Sequence, residues 1–540
     1  SVDGDISITG TGDSTGGVTN YGINLTNNTV ISSTGTGANA ANITIVGVGG
    51  NANSTGGNTG VRIQSDATGA ITSVDGDIDI TGTAGTLSGS ASVNVGVHFS
   101  DPIRTTGDGN ITITGTGATG TTSTMAGIGV FSGGSIDATG TGSITLIGTA
   151  ASGTDVGIDV SAGTVGSGST SGTITLRSDE DVNLDAAVTG TGNLVIEPIT
   201  ASTSIAVGST ATGTLLVDDT SLGNITDGFS LITIGSTTGT GAVDVEAWTP
   251  SDSVLIQSWG DGGSMTVDGN VTMSGSDSLT LRTGGLIDID DDSVLTVVNG
   301  NLEIRGNADA GGDYISTSNT FGVDIGSAST TLTTTGTGDI IIFGNGQNSQ
   351  GVRLLNGATI SSTATGASAG TITITANTAN NHGINLNPGT ITSVDGDITI
   401  TATSTGTTTA TEGMRLISTT SITSTGTGAN AANITLVGTS GAGNDSNAEG
   451  VDIGDSTLIT AADGDIAITG TSVGTASGVE GVLVTTTGGI TTSGDGNITI
   501  TGTGSTAGGA DFSHGILITN ASANIDTVSG DITLTGTAGT

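Results

Sequence analysis

One strand pattern recurs along this chain at intervals too regular for a globular fold and too variable for a simple tandem array. A φ-x-φ strand (φ apolar) begins at Ile6, Ile43, Ile78, Ile111, Ile144 and Ile174, with successive starts 37, 35, 33, 33 and 30 residues apart. It returns at Ile340, Ile372, Ile398, Ile434, Ile466, Ile498 and Ile532, spaced 32, 26, 36, 32, 32 and 34. A Gly-φ-x-φ strand follows in most repeats, as at Gly22–Leu25, Gly60–Ile63, Gly383–Leu386 and Gly450–Ile453. A third, shorter strand is marked by Ile31, Ile71, Ile136, Ile391, Ile422 and Ile490. Alternation over three or four residues is a strand signal, yet no strand this short stands alone. Three per repeat predict an all-β parallel β-helix, a β-solenoid in which each coil pairs its backbone with the coils above and below, about 4.8 Å away. The glycine before the second strand marks a corner where positive φ or close approach is cheap.

The side loops sort the chain into three stretches. Residues 1–180 and 331–540 carry long-loop coils, and residues 181–330 carry shorter ones, with strands at Leu215–Val217, Leu231–Ile234 and Val254–Ile256 among others. The whole chain is expected to form about 18–21 coils, on the order of 90–100 Å of solenoid. Long-range copies point to growth by duplication: STGTGANAANIT fills Ser33–Thr44 and again Ser424–Thr435, and SVDGDI begins at Ser1, Ser73 and Ser393. Both edges read as cut from a longer protein, since the chain opens without an initiator Met or a signal peptide.

Composition narrows what such a fold can do. Glycine is 97 of 540 residues, about 18% against a usual 7%. Aromatics are only 2%, so the core must be thin. Net charge is -42 with seven basic residues, all Arg. Such a surface repels nucleic acid and anionic lipid, and attracts divalent cations. There is no cysteine, and no apolar run long enough to span a membrane as a helix.

The residues that bear on chemistry are mostly acidic. The turn before the first strand carries Asp3 and Asp5, Asp75 and Asp77, Asp395 and Asp397, and Asp463 and Asp465. Asp-Gly-Asp presents hard oxygen ligands that suit Ca²⁺. The plainer alternative is turn chemistry with Asp and Asn stacking by side-chain hydrogen bonds from coil to coil. Asp288, Asp290, Asp291 and Asp292 form a denser cluster, and paired carboxylates perform glycoside hydrolysis. Without Lys and with only three His, the chain is expected not to be an enzyme. Trp248 and Trp259 either fill a widened core or form a small binding patch. The middle position of strand two holds Arg62, Arg353 and Arg415 but also Asp159, Asp324, Asn385 and Asp452. A site that accepts both signs is expected to face solvent.

Through GDIxITGTG, GINL, GVDI and the central DGFSLITIGSTTGTGAVDV, the chain resembles the giant bacterial β-strand-repeat exoproteins of the filamentous-haemagglutinin and autotransporter-adhesin type. That resemblance implies a right-handed parallel β-helix, secreted to the bacterial cell surface or matrix, serving in adhesion, biofilm or surface structure. It implies partners among neighbouring fibre subunits, or host and matrix polysaccharide, and no catalytic residues. The alternatives are a self-assembling surface filament and a carbohydrate-binding or cleaving surface near residues 248–292.

Overall fold

The computed structural model describes residues 1–540 except 14–18, 52–56, 65–69, 87–93, 119–125, 152–155, 291, 310–314, 316–320, 408–409, 445–446, 507–512 and 540. The chain is all-β apart from one short helix among these residues, and its strands pair in parallel. Contacts divide it into Ser1–Asp244 with Ser251–Leu255, and Val245–Pro250 with Ile256–Thr540.

In the first unit, each strand pairs with its counterpart one repeat away. The first-strand sheet runs through Ile6–Thr11, Ile43–Val48, Ile78–Thr83, Ile111–Thr116, Ile144–Thr149, Ile174–Arg177 and Asn193–Glu197. Its register superimposes like on like: Ile6, Ile43, Ile78, Ile111, Ile144, Ile174 and Leu194 form one column. The second strands, from Ile23–Leu25 to Asp181–Leu184, and the third, from Val30–Ser32 to Val188–Thr189, form two further parallel sheets. Alternation decides which side chains are inside, as Ile111 and Ile113 are fully buried while Thr112 and Thr114 are not. Each buried Ile contributes roughly 1.5–3 kcal/mol, so the columns hold the sheets together with very few aromatics.

The TGTG stretch has a steric cause. In Ile111–Thr116 the fifth residue, Gly115, lies against the carbonyl of Gly127, the glycine that opens the second strand, and a Cβ there would overlap that oxygen. Gly82 meets Gly96 and Gly148 meets Gly157 in the same way. None of these glycines has positive φ. Of the two reasons for a corner glycine, close approach is therefore the operative one.

One segment departs from the expected coils. Leu215–Val217 pairs with Ile205–Val207, ten residues earlier, because the connection through Gly208–Gly213 is too short to complete a repeat. The helix Asp219–Gly223 follows, capped by Asp218, whose carboxylate accepts from Ser221 N at 2.8 Å. The Ser221 hydroxyl then accepts Leu184 N (2.9 Å) and donates to Val182 O (3.2 Å), while Asn224 Nδ2 donates to Leu184 O at 2.8 Å. Side chains thus satisfy backbone groups of Asp181–Leu184 that a strand would otherwise pair.

The second unit repeats the same arrangement. First strands run in register from Leu279–Gly284 through Leu302–Gly306 and Ile340–Gly346 to Ile532–Thr537. Second strands run from Ser264–Val267 to Ile516–Ile518, and third strands from Val271–Thr272 to Ile525–Thr527. A buried hydroxyl ends many third strands by donating to a turn carbonyl: Thr334 to Gly338 O and Ser362 to Gly370 O at 2.6 Å each, and Thr492 to Gly496 O at 2.8 Å. Here Ala376 and Ala402 replace the fifth-position glycine, but they do so as register partners.

Gly115, with glycine above and below it, has no such matched neighbour. Gly115→Ala is expected to lower unfolding stability by about 1–3 kcal/mol, measured as a shift in urea midpoint, whereas Thr114→Ala on the outward face should cost far less.

Candidate functional site

The acidic turns resolve into two columns with different tasks. Asp5, Asp77, Asp397 and Asp465 stand immediately before the first strand. Their Oδ1 atoms accept the backbone N–H of the residue one repeat on: Asn42 (2.9 Å), Asn110 (2.8 Å), Asn433 (2.8 Å) and Asn497 (2.7 Å). The asparagines relay the pattern, since Asn42 Oδ1 accepts from Asp77 N and Asn433 Oδ1 from Asp465 N. Asn110, Asn433 and Asn497 also donate Nδ2 to the carboxylate of the repeat before, at 3.0–3.1 Å. The column in the first unit reads Asp5, Asn42, Asp77, Asn110, Ser143, so a neutral residue separates the two carboxylates. In the second unit the alternation is Asp397, Asn433, Asp465, Asn497, Asp531. Stacked like charges would repel, and the amide between them both insulates and donates.

The other aspartate of each turn clamps a loop. Asp75, Asp395 and Asp463 accept from Gly37 N, Gly366 N and Gly428 N, each at 2.6 Å. Hydrogen bonds from Gly37 and then Asp108 hold the Asp75 carboxyl below the usual aspartate range. Asp3 lies exposed at the first turn. The stacking alternative raised for these turns is thus the one with visible partners, and among the described residues no three His, Cys, Asp or Glu side chains converge to hold a metal.

Asp288 occupies the middle of Ile287–Ile289, in register with Asp324. Burial first, then Asp324 and Asp290, push its carboxyl up to about 6. Asp291 lies outside the described residues. Asp324 is itself bound by the Arg353 guanidinium on the next strand, with Arg353 Nε donating at 2.7 Å. The strand-two middle position is only in part the solvated one expected from its mixed charges: Asp159, Asp324 and Asn385 are more than nine-tenths buried, while Arg62, Arg353, Arg415 and Asp452 are half-buried and Asn24 is exposed. Arg353 stacks there between Asp324 and Asn385, so pairing along the column accompanies the burial of those two, whereas Asp288 and Asp324 are like-charged partners.

The two tryptophans separate: Trp248 is buried beside Val271, as a core-filling residue, and Trp259 is half-buried with its Nε1 donating to Ala308 O at 2.7 Å. His98 stacks on Phe131 at 4.3 Å between ring centroids, and burial, helped by Arg62, lowers its pKa to about 4.

The residue before the second-strand glycine forms a column of which sequence reasoning saw the two histidines, His382 and His514, and passed over the glutamates between them. In five successive repeats it is His382, Glu412, Glu449, Glu480 and His514, bridged by Gly383 N to Glu412 O, Gly413 N to Glu449 O, Gly450 N to Glu480 O and Gly481 N to His514 O. All three glutamates are over nine-tenths buried. The outer two meet histidines, with His382 Nδ1 2.5 Å from Glu412 Oε2 and His514 Nδ1 3.2 Å from Glu480 Oε1. Arg415 lies 3.9 Å from Glu412. Glu449, in the middle, has carboxylates on both sides. At one strand spacing and an effective dielectric near 20, two full charges repel by about 3–4 kcal/mol. Burial, then Glu412, push the Glu449 carboxyl up to about 9, and the same two causes lift the neighbouring Asp452 to about 7. The signal was present as Glu-Gly-φ-x-φ at three consecutive repeats, but Glu before a loop glycine reads as a solvent-facing turn residue until the register stacks it.

Both shifts favour the protonated, folded state. Their stabilisation is complete below the ordinary carboxylate range and is lost as pH rises through about 7 and then about 9. The urea midpoint of the chain is expected to fall between pH 5 and pH 9. Glu449→Gln, neutral at every pH, should flatten much of that slope and raise the midpoint at pH 9. An unchanged slope would mean that Glu449 is ionised throughout.

Comparison with family models, curated proteins and solved structures gives no match to this chain.

Proposed function

We propose that this chain is a structural module of a giant bacterial cell-surface fibre: a right-handed parallel β-helix with three strands per coil, forming a stiff acidic rod outside the cell. One observation carries the reading. Strand after strand, within each unit, pairs in parallel register with the same strand of the next repeat, and the paired positions are chemically alike. Repetition of this kind spends the sequence on stacking. Exposed positions are left to Thr, Ser, Asn and Asp, which favours a scaffold over a single reactive centre.

Charge supports the extracellular, fibrous reading. A net charge of -42 keeps neighbouring rods apart and soluble. It also offers divalent cations a way to bridge rods through Asp3, Asp5, Asp75, Asp77, Asp395, Asp397, Asp463 and Asp465, through carboxylate lone pairs beyond those the columns use. In this reading calcium joins chains and does not build the fold.

Cryo-electron microscopy of the chain, with and without a calcium chelator, tests both parts. The expected result is slender particles with an axial repeat of about 4.8 Å, unaltered in width by the chelator, while bundles of particles disperse. Compact particles without that repeat would overturn the rod, and unfolding on chelation would make the aspartate turns structural metal sites.

A further inference from the structure

The arginines of this chain are few and almost all spoken for. Arg104, Arg177, Arg305, Arg353 and Arg415 each have a carboxylate within 4 Å. Arg62 and Arg282 have none among the described residues; Arg62 lies 5.0 Å from the centroid of the Tyr21 ring, and the Arg282 Nε is buried without a hydrogen-bond partner. With 49 acidic side chains available, an unpaired guanidinium calls for a reason.

Its surroundings supply one. Arg282 on Leu279–Gly284 and Arg305 on Leu302–Gly306 are register partners on adjacent strands, so two cations stand directly opposite each other. Such a pair is destabilising by itself. It is bracketed by aromatics: Arg282 lies 5.0 Å from the centroid of Trp259, and Arg305 lies 5.7 Å from that of Phe343, its register partner on Ile340–Gly346. The rings offset part of the repulsion through their π faces. Glu303 bonds Arg305 and leaves Arg282 unanswered. Trp259, Arg282, Glu303 and Arg305 together line an open pocket of about 100 Å³, and the Trp259 indole is fixed there by its bond to Ala308.

We propose that this pocket binds the carboxylate of a uronic acid residue in an acidic polysaccharide. The two guanidiniums less the Glu303 carboxylate leave one positive charge, which matches a carboxylate and falls short of a phosphate dianion. The planar fork of Arg282 suits bidentate binding of a carboxylate. The volume holds that group with part of its ring, and a polymer continues outward over the open side. Glu303 can accept a sugar hydroxyl, and the Trp259 edge offers an apolar wall to the ring C–H groups. The choice of a sugar, as opposed to any other carboxylate, rests on the extracellular reading above; the anion site rests on the arginine pair alone.

Trp259 provides the readout, because the other tryptophan, Trp248, is buried. Trigalacturonate, its methyl-esterified neutral form and sodium acetate are titrated at constant ionic strength while tryptophan emission is followed. Trigalacturonate is expected to shift the emission and saturate, the ester to do nothing, and acetate to act only at far higher concentration. Arg282→Gln should weaken trigalacturonate by about tenfold or more, with a urea midpoint no lower than that of the parent chain as the check on folding. Trp259→Phe should keep binding measurable by calorimetry and abolish the optical signal. No saturable response to either carboxylate, or equal affinity in the Arg282→Gln variant, overturns the site. Equal potency of acetate and trigalacturonate overturns the sugar assignment and leaves a general carboxylate site. None of these outcomes bears on the axial repeat, so the fibre reading stands or falls separately.

Discussion

Everything in this protein follows from the parallel backbone hydrogen bonds between a strand and the same strand one repeat later. Those bonds fix the register, and register decides what each side chain meets. A strand of three to six residues has too little surface to be stable alone. Stacked among its copies, it gains pairing on both edges, and each inward Ile finds another Ile above and below. This is how a chain with 2% aromatics still closes a core.

The same stacking turns every sequence position into a column, and columns impose conditions that no single repeat shows. Gly115 must be small because the Gly127 backbone is close, and Ala376 is tolerated where Ala402 stacks on it. Asp77 requires a neutral neighbour and finds Asn42 and Asn110. Where the condition is broken, in the glutamate column around Glu449, burial and like charge hold a proton in the folded state. Where two arginines are stacked, at Arg282 and Arg305, aromatic rings bracket the charge.

Much of the strand pattern was legible from φ-x-φ spacing, since alternation and repetition are local. Ile6, Gly22-Ile23 and Ile31 stand where the spacing puts them, in first, second and third strands. What the sequence hid were the consequences of stacking. Asp324 and Asn385 read as solvated because their column mixes charges, yet pairing along the column allows burial. Glu449 reads as a loop residue until Glu412 and Glu480 are placed beside it. Leu215–Val217 reads as another repeat, but only ten residues separate it from its partner, a distance that permits a local pairing and no full repeat. Arg282 carried no signal at all in the sequence, because its meaning depends on which residue lies one strand away.

Register between repeats is the central claim, and the absence of cysteine makes it directly measurable. Thr373 and Thr399, 26 residues apart in sequence, are register partners on neighbouring strands, whereas Thr373 and Thr401 are offset by two residues. Thr373→Cys with Thr399→Cys, treated with a short bifunctional thiol reagent, is expected to cross-link rapidly and without loss of stability. Thr373→Cys with Thr401→Cys is expected to react slowly. Equal rates for the two pairs, or a preference for the offset pair, would contradict the in-register stack on which the fold, the charge columns and the arginine site all depend.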